Sequence, residues 1–160
     1  VASTYVNYSK VRGMGVVVSV PNPKDGLLGM IEAICTATVM GNSMILILEH
    51  EAGELAIALA EALATCDMPG GVINILTTDA EAVLKVAIRH DDVDALHLAT
   101  KSIDKELLRE IQVENAAVMR RLLLTDDVSK PATPIELSKL AEVQTVWMSS
   151  LEMKGGAAAY

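Results

Sequence analysis

Short continuous apolar runs alternate along the chain with longer segments in which apolar residues recur every three or four positions. The continuous runs are typical of strands buried on both faces, and the longer segments have the periodicity of amphipathic helices. Strands are predicted at residues 14–20, 44–48, 72–76, 94–99 and 119–124. Helices are predicted at residues 27–40, around the stripe Leu55, Leu59 and Leu63, after Asp79, and at residues 103–113.

Strands that alternate with helices of this length predict a parallel sheet, because parallel neighbours must be joined by long crossovers. Right-handed crossovers place helices on both faces of such a sheet. The sequence therefore predicts an α/β fold, with a Rossmann-like parallel sheet of about five strands and helices on both faces.

Two apolar segments stand outside this alternation, at residues 2–9 and 142–149, and both are predicted to be added terminal strands. An Asp-, Ser- and Pro-rich linker precedes the second of them. The predicted organisation is an added strand at 1–13, a Rossmann-like domain at 14–124, the linker at 125–134, and an oligomerisation strand with a tail at 135–160. Residues 155–159 are expected to fray.

Local signals predict how the helices begin and which faces they bury. Asp79 and Ser102 are predicted to cap the third and fourth helices, because short polar side chains accept the unpaired N–H groups of a helix start. The residues predicted to face the core are Leu27, Ile31, Ile34 and Thr38 in the first helix and Val83, Leu84, Ala87 and Ile88 in the third.

Composition narrows the class of protein. The chain has 160 residues, of which 51% are hydrophobic, and this is the size and composition of one globular domain. A formal net charge of −8 argues against nucleic acid as a partner. Charged and polar residues interrupt every apolar run before a membrane span is reached, and no signal peptide is recognisable. Cys35 and Cys66 lack metal-site spacing and are predicted to be buried, reduced thiols in a cytoplasmic protein.

Several stretches resemble the coenzyme-binding domain of the aldehyde dehydrogenase family. They are MGVV at 14–17, GNS at 41–43, MPGGVINI at 68–75 and HDDVDALHLA at 90–99. A further stretch, EVQTVWMSS at 142–150, resembles the carboxy-terminal strand by which these enzymes form dimers. All of them follow the family's order with nearly its spacings. The resemblance implies the family's fold and an assembly partner.

The residues that carry the family's chemistry are missing or doubtful. The family uses a cysteine nucleophile, a glutamate base and an asparagine that holds the oxyanion. Its cysteine belongs to a catalytic domain inserted after the fifth strand, where this chain has only the linker. Its glutamate belongs to a Glu-Leu-Gly-Gly-Lys motif, where residues 122–127 read LLLTDD. Its asparagine falls on Lys24, or on Asn22 if the loop shifts. The resemblance therefore implies no aldehyde oxidation by this chain alone.

Coenzyme recognition is also altered. The family's lysine and glutamate that hold the adenosine ribose fall on Ile47 and His50, and the glycine of its phosphate turn is replaced within residues 98–102. Thr100 and Ser102 are still predicted at a helix start, where N–H groups and the charge of Lys101 favour an anion, although such residues are also ordinary caps. The candidate cofactor-binding residues are Lys24, Thr100, Lys101 and Ser102. No cofactor is expected, and any binding of NAD or NADP should be weak.

The remaining polar residues favour structural roles. His97 lies within a predicted strand and is interpreted as a hydrogen-bonded core histidine, because no second ligand stands at metal spacing. Residues 49–51 are interpreted as a solvated loop after the second strand of the sheet. Asp91, Asp92 and Asp94 lack the pattern of a calcium loop and are assigned to a turn. The sequence predicts no metal site.

The sequence is compatible with three functions. The first is a catalytically inactive aldehyde dehydrogenase-like module with a structural, oligomerisation or regulatory role, which the altered site residues favour. The second is an NAD(P)-binding part whose catalytic domain comes from another chain. The third is an independent enzyme that uses Cys35 or Cys66. The expected partner is a second copy or a full-length relative. Residues 142–149, with Trp147 as anchor, either fold back beside residues 2–9 or pair with another chain.

Overall fold

The computed structural model describes residues 5–130 and 132–149, and it confirms the predicted alternation of strands and helices. The strands are β1 (Tyr5–Gly13), β2 (Val16–Val20), β3 (Ser43–Leu48), β4 (Ile73–Thr77), β5 (Ala95–Ala99), β6 (Arg121–Thr125) and β7 (Ala141–Ser149). The helices are α1 (Gly26–Thr38), α2 (Gly53–Ala64), α3 (Ala80–Ala87), α4 (Lys105–Val118) and α5 (Pro134–Ser138). The sequence pattern did not predict α5.

Five strands form a parallel sheet in the order β4-β3-β2-β5-β6. The chain adds β3 and β4 on one side of β2 and then returns to add β5 and β6 on the other. The direction of winding therefore reverses beside β2, and loops at the carboxyl ends of such strands diverge to form a crevice. This is the predicted Rossmann-like architecture.

The inner strands β2, β3 and β5 are buried on both faces of the sheet. Met44, Leu46 and Leu48 of β3 pack with α1 and α2 in one core, whereas Leu96 and Leu98 of β5 pack with α3 and α4 in the other. Alternate residues of a strand point to opposite faces, so a continuous apolar strand supplies both cores at once. This explains why the inner strands read as mostly apolar runs.

The two terminal strands form a separate antiparallel ribbon. β1 pairs with β7 from Tyr5 opposite Ser149 to Gly13 opposite Ala141. Arg12 adds an ion pair to Glu142 at 3.0 Å across the ribbon. Of the two arrangements predicted for residues 142–149, folding back on the amino-terminal strand is confirmed. Residues 2–4 of the predicted first strand, residue 150 and the predicted frayed tail lie outside the described residues.

Asn42 fastens this ribbon to the domain. Its Oδ1 accepts the N–H groups of Met14 at 2.7 Å and Gly15 at 3.2 Å. Its Nδ2 donates to the carbonyl of Ala37, at the end of α1, at 3.0 Å and to that of Leu140, just before β7, at 2.9 Å. Asn42 is only 2% exposed. One buried side chain therefore satisfies backbone groups from three parts of the chain.

The start and end of α4 differ from the prediction. Asp104, not Ser102, is the N-cap, and its carboxylate accepts the N–H of Glu106 at 2.8 Å. The hydroxyl of Ser102 instead donates to the carbonyl of Pro21 at 3.2 Å. The helix ends at a left-handed Met119, so the last strand of the sheet begins two residues later than predicted. By contrast, the predicted cap at Asp79 is confirmed, since Asp79 accepts N–H groups of α3.

The predicted buried face of α1 is only partly correct. Ile34 is buried as predicted, but Leu27 and Ile31 are exposed, and the helix also buries Met30, Ala33 and Ala37. Nearly every residue of α1 is apolar, so spacing alone does not distinguish one stripe from the next.

The prediction of buried thiols is also wrong. Cys35 lies on the exposed side of α1, Cys66 lies in the turn after α2, and both are exposed free cysteines. The turn leaves Cys66 in solvent, where its thiol donates to the carbonyl of Leu63 at 3.0 Å.

Candidate functional site

Three turns meet at the carboxyl edge of the parallel sheet. A 3-10 turn follows each of three neighbouring strands, at Pro23–Asp25 after β2, His50–Ala52 after β3 and Thr100–Ser102 after β5. A hydrogen bond from Ser102 to the carbonyl of Pro21 joins the third turn to the residue that directly follows β2. Loops at this edge of a parallel sheet are the usual place for a ligand. The structure therefore brings together the two segments that contain the sequence-predicted site residues.

A cleft of about 230 Å³ lies between the ends of β2 and β3. Its walls are mostly apolar, and its polar lining residues are Asn22, Glu49 and Glu51. The apolar lining consists of Val20, Pro21, Pro23, Gly26, Met30, Ile47, Leu48, Ala52 and Leu55. This is a small pocket with an acidic side.

Asn22, rather than Lys24, reaches this cleft. Asn22 is 8% exposed and caps the first turn, where its Oδ1 accepts the N–H of Lys24 at 3.3 Å. The side chain of Lys24 is exposed and does not belong to the cleft lining. A cofactor-binding role for Lys24 stays a prediction.

Thr100, Lys101 and Ser102 form a 3-10 turn that ends before α4 begins. The hydroxyl of Thr100 donates to Asp126, and that of Ser102 already donates to Pro21. Lys101 is exposed. Both hydroxyls thus have partners within the chain. Helix α4 begins at Lys105, after its cap Asp104, so the unpaired N–H groups of the helix start do not belong to this turn. Anion binding by the three residues stays a prediction without support from a helix amino terminus.

The structure also shows where the two positions that match the family's ribose-binding residues lie. Ile47 is 1% exposed and lines the cleft, where it offers no donor to a hydroxyl. His50 is exposed in the second turn, and the neighbouring Glu49 and Glu51 are exposed as well, which confirms the predicted solvated loop. No ribose clamp of the family's type is assembled by these side chains.

A second polar cluster lies under α1. His97 is 3% exposed, and its Nε2 lies 3.4 Å from the hydroxyl of Thr125 and 3.7 Å from a carboxylate oxygen of Glu32. The other oxygen of Glu32 accepts the hydroxyl of Thr36 at 2.8 Å. The predicted core position of His97 is confirmed, although its Nδ1 has no partner among the described residues. The sequence analysis did not predict that Glu32 and Thr36 of α1 belong to this cluster. The signal for it was their spacing of four positions in a mostly apolar helix.

Burial dominates the electrostatics of this cluster. Desolvation lowers the pKa of His97 from 6.5 to about 4, so its imidazole is neutral at physiological pH. Desolvation also raises the pKa of Glu32, against the opposing effect of the hydrogen bond from Thr36. Among the described residues, Thr125 is the only hydroxyl in hydrogen-bond contact with His97, and no serine or cysteine is hydrogen-bonded to its ring. Within residues 5–130 and 132–149, no group of three or more His, Cys, Asp or Glu residues could hold a metal ion.

Asp94 confirms a structural role for the predicted acidic turn. Its carboxylate accepts the N–H of Val16 at 2.7 Å and thereby ties the start of β5 to the start of β2.

None of the helices in the described part of the chain is long and apolar enough to cross a membrane.

Known proteins share this fold. The structure resembles the NAD+ complex of an aldehyde dehydrogenase from Bacillus cereus (TM-score 0.68, 17% identity), the aldehyde dehydrogenase KauB from Pseudomonas aeruginosa (0.68, 24%) and an NADP dependent enzyme from E. coli (0.66, 21%). The alignments cover 78%, 79% and 77% of this chain and 25% of each of the other chains. The chain thus spans about a quarter of the length of those structures, and identities this low show the fold alone. No curated protein sequence matches the chain.

The family assignment rests on the sequence match. The model of the aldehyde dehydrogenase family matches residues 2–124, which include β1 and reach all five strands of the parallel sheet. This match covers most of the chain and agrees with the resemblance carried by the sequence motifs. The chain therefore belongs to the aldehyde dehydrogenase family and contains its Rossmann-like portion.

Proposed function

We propose that this chain is an assembly module of the aldehyde dehydrogenase family that does not oxidise aldehydes on its own. The connection between β6 and β7 supports the second half of this proposal. It consists of residues 126–140, and within it α5 is the only regular element in the described residues. The family's catalytic domain would be inserted at this point, and a segment of this length cannot hold one.

The exposed ribbon of β1 and β7 is the observation that carries the assembly role. Tyr5, Tyr8, Val11, Val143 and Trp147 are between 47% and 71% exposed, and they are distributed over both faces of the ribbon. A two-stranded ribbon is marginally stable by itself in water. Exposed apolar area of this kind is typical of an interaction surface. The ribbon is therefore expected to be covered in the functional assembly.

The proposed partner is a second copy of this chain or a full-length relative. In the described residues the ribbon contains only β1 and β7, so the outer edge of each strand is open to a further strand. Strand addition to such an edge supplies backbone hydrogen bonds, and a large aromatic residue supplies a buried anchor. Trp147, at 59% exposed, is the proposed anchor. A cytoplasmic location remains part of the proposal.

Sedimentation velocity tests the assembly. The intact chain should sediment as a dimer or larger species, and Trp147→Asp should shift it toward monomer, because a charge at a buried anchor must lose its water. Ile57→Asp is the matched control, since Ile57 is 63% exposed on α2 and lies outside the ribbon. A monodisperse monomer for the intact chain, alone and mixed with a full-length relative, would contradict the proposal. So would equal effects of the two substitutions.

Activity measurements test the proposal that the chain alone does not oxidise aldehydes. The pure chain should show no NAD-dependent oxidation of aldehydes, because in the described residues neither Cys35 nor Cys66 is hydrogen-bonded to a histidine or carboxylate that could act as a base. Turnover that disappears in Cys35→Ser or Cys66→Ser would contradict this prediction and would instead favour an independent enzyme that uses one of these cysteines.

A second candidate is an NAD(P)-binding part that works beside a catalytic domain from another chain. The three turns at the carboxyl edge of the sheet favour it, since parallel α/β sheets bind nucleotides at this edge. The fold is also shared with a protein solved as an NAD+ complex. Calorimetric titration with NAD+ and NADP+ separates this candidate from the first.

A further inference from the structure

The cleft between β2 and β3 is a poor fit for a dinucleotide. Pockets for drug-sized ligands enclose about 300–1,000 Å³, whereas this cleft encloses about 230 Å³. A pyrophosphate also needs donors or positive charge, and none of the described residues that line the cleft is cationic. Lys24 is exposed on the neighbouring turn and is followed directly by Asp25. The lining therefore favours a smaller ligand without negative charge.

The walls of the cleft suit an apolar body. Val20, Met30, Ile47 and Leu48 are each at most 4% exposed, so their positions are fixed by the surrounding core. A dry apolar cavity of about 150 Å³ holds a benzene ring. The cleft is larger than that, so its size matches one or two fused rings or a short branched aliphatic chain.

The polar groups of the cleft suit a cation. Glu49 and Glu51 line it from the turn after β3 and bring two formal negative charges to one side of the opening. Asn22 lines it from the turn after β2 and is 8% exposed. Its Oδ1 caps its own turn, which leaves its Nδ2 available as a donor to a ligand. An ammonium group beside the two carboxylates completes this arrangement, and a carboxylate or phosphate in the same place would be repelled.

We propose that this cleft binds a small amine, with an apolar body among Val20, Met30 and Ile47 and its ammonium group beside Glu49 and Glu51. The proposal goes beyond the assembly role, because the cleft and the ribbon consist of different residues. Recognition of this kind depends on the sign of the ligand's charge as well as on its shape.

The test is calorimetry of the intact chain with three probes of the same shape and different charge. We expect 2-naphthylmethylamine to bind with a submillimolar Kd, 2-naphthalenemethanol to bind more weakly, and 2-naphthoate to bind most weakly. Glu49→Gln and Glu51→Gln should each weaken the amine by about two- to fivefold, as for an exposed ion pair. Glu54→Gln is the matched control, since Glu54 is exposed on α2 and does not line the cleft, and it should leave the amine unaffected.

Three outcomes would overturn the proposal. They are no detectable binding of the amine, naphthoate binding as tightly as the amine, and equal weakening by the Glu54 control. Failure here is distinguishable from failure of the assembly role, because Trp147→Asp should retain full amine binding while it loses self-association. Far-UV circular dichroism of each variant confirms that a loss of binding does not reflect unfolding.

Discussion

Acid should destabilise this chain through His97. In the folded chain its imidazole is buried and takes up a proton less readily than in the unfolded chain, since burial lowers its pKa from 6.5 to about 4. Between these two values the unfolded state binds more protons, so the free energy of unfolding falls as the pH falls. The stabilising contribution is complete above about pH 6.5 and is lost by about pH 4.

The magnitude follows from the size of the shift. A fall of the His97 pKa from 6.5 to about 4 corresponds to roughly 3 kcal/mol of unfolding free energy, at about 1.4 kcal/mol per pKa unit. Glu32, 3.7 Å away, acts in the opposite sense, because a raised carboxyl pKa adds stability that is lost as the pH rises through it. Glu32→Gln should therefore make the acid dependence of the free energy of unfolding steeper.

Urea denaturation at a series of pH values, at constant chain concentration, measures the effect. His97→Leu removes the titrating group and keeps an apolar side chain in the core, so its loss of stability from about pH 7 to about pH 4 should be smaller than that of the parent by roughly 3 kcal/mol. His90→Leu is the matched control, because His90 is exposed. Equal pH dependence in parent and His97→Leu would refute the reasoning, as would an NMR titration of His97 near pH 6.5.

Two further predictions concern the cofactor and the fastening of the ribbon. NAD+ and NADP+ should bind weakly or not at all, because each lost hydrogen bond to the ribose or phosphate costs about 1–3 kcal/mol; a micromolar Kd by calorimetry would contradict this, and Lys101→Ala should then weaken binding most. Asn42→Ala should lower the free energy of unfolding by roughly 3 kcal/mol or more, because it leaves several buried backbone groups unpaired. Asn115→Ala, at an equally buried side chain whose amide has no partner among the described residues, should cost much less by urea denaturation, and similar costs would count against the role of Asn42.

Periodicity was sufficient for the order of the strands of the parallel sheet and of the helices α1 to α4 between them. Each strand of the parallel sheet is an apolar run between turns, and each of the helices α1 to α4 lies in a predicted position. Signals that depend on near neighbours also succeeded, as with the cap at Asp79. They failed where two neighbouring residues could perform the same task, as with Ser102 and Asp104, because both are good caps and only the packed turn decides where the helix begins.

The candidate site was only partly accessible from the sequence. The resemblance pointed to the turns after β2, β3 and β5, and the structure places them at one edge of the sheet. That Asn22 rather than Lys24 reaches the cleft depends on the path of a short turn, which residue spacing does not determine. The volume of the cleft and its acidic side likewise arise from residues of two strands and the segments that follow them.

The sequence by itself thus determined the α/β alternation, the family and the presence of two added strands, because these properties depend on local periodicity and on short motifs. The tertiary structure alone decided the contacts between distant residues. Asn42 reaches Leu140 across 98 positions, and His97 meets Glu32 from a different element. Such pairs leave no periodic signal, since each residue is an ordinary choice for its own segment. Their energetic effect arises when folding removes both members from water and leaves each polar group dependent on the other.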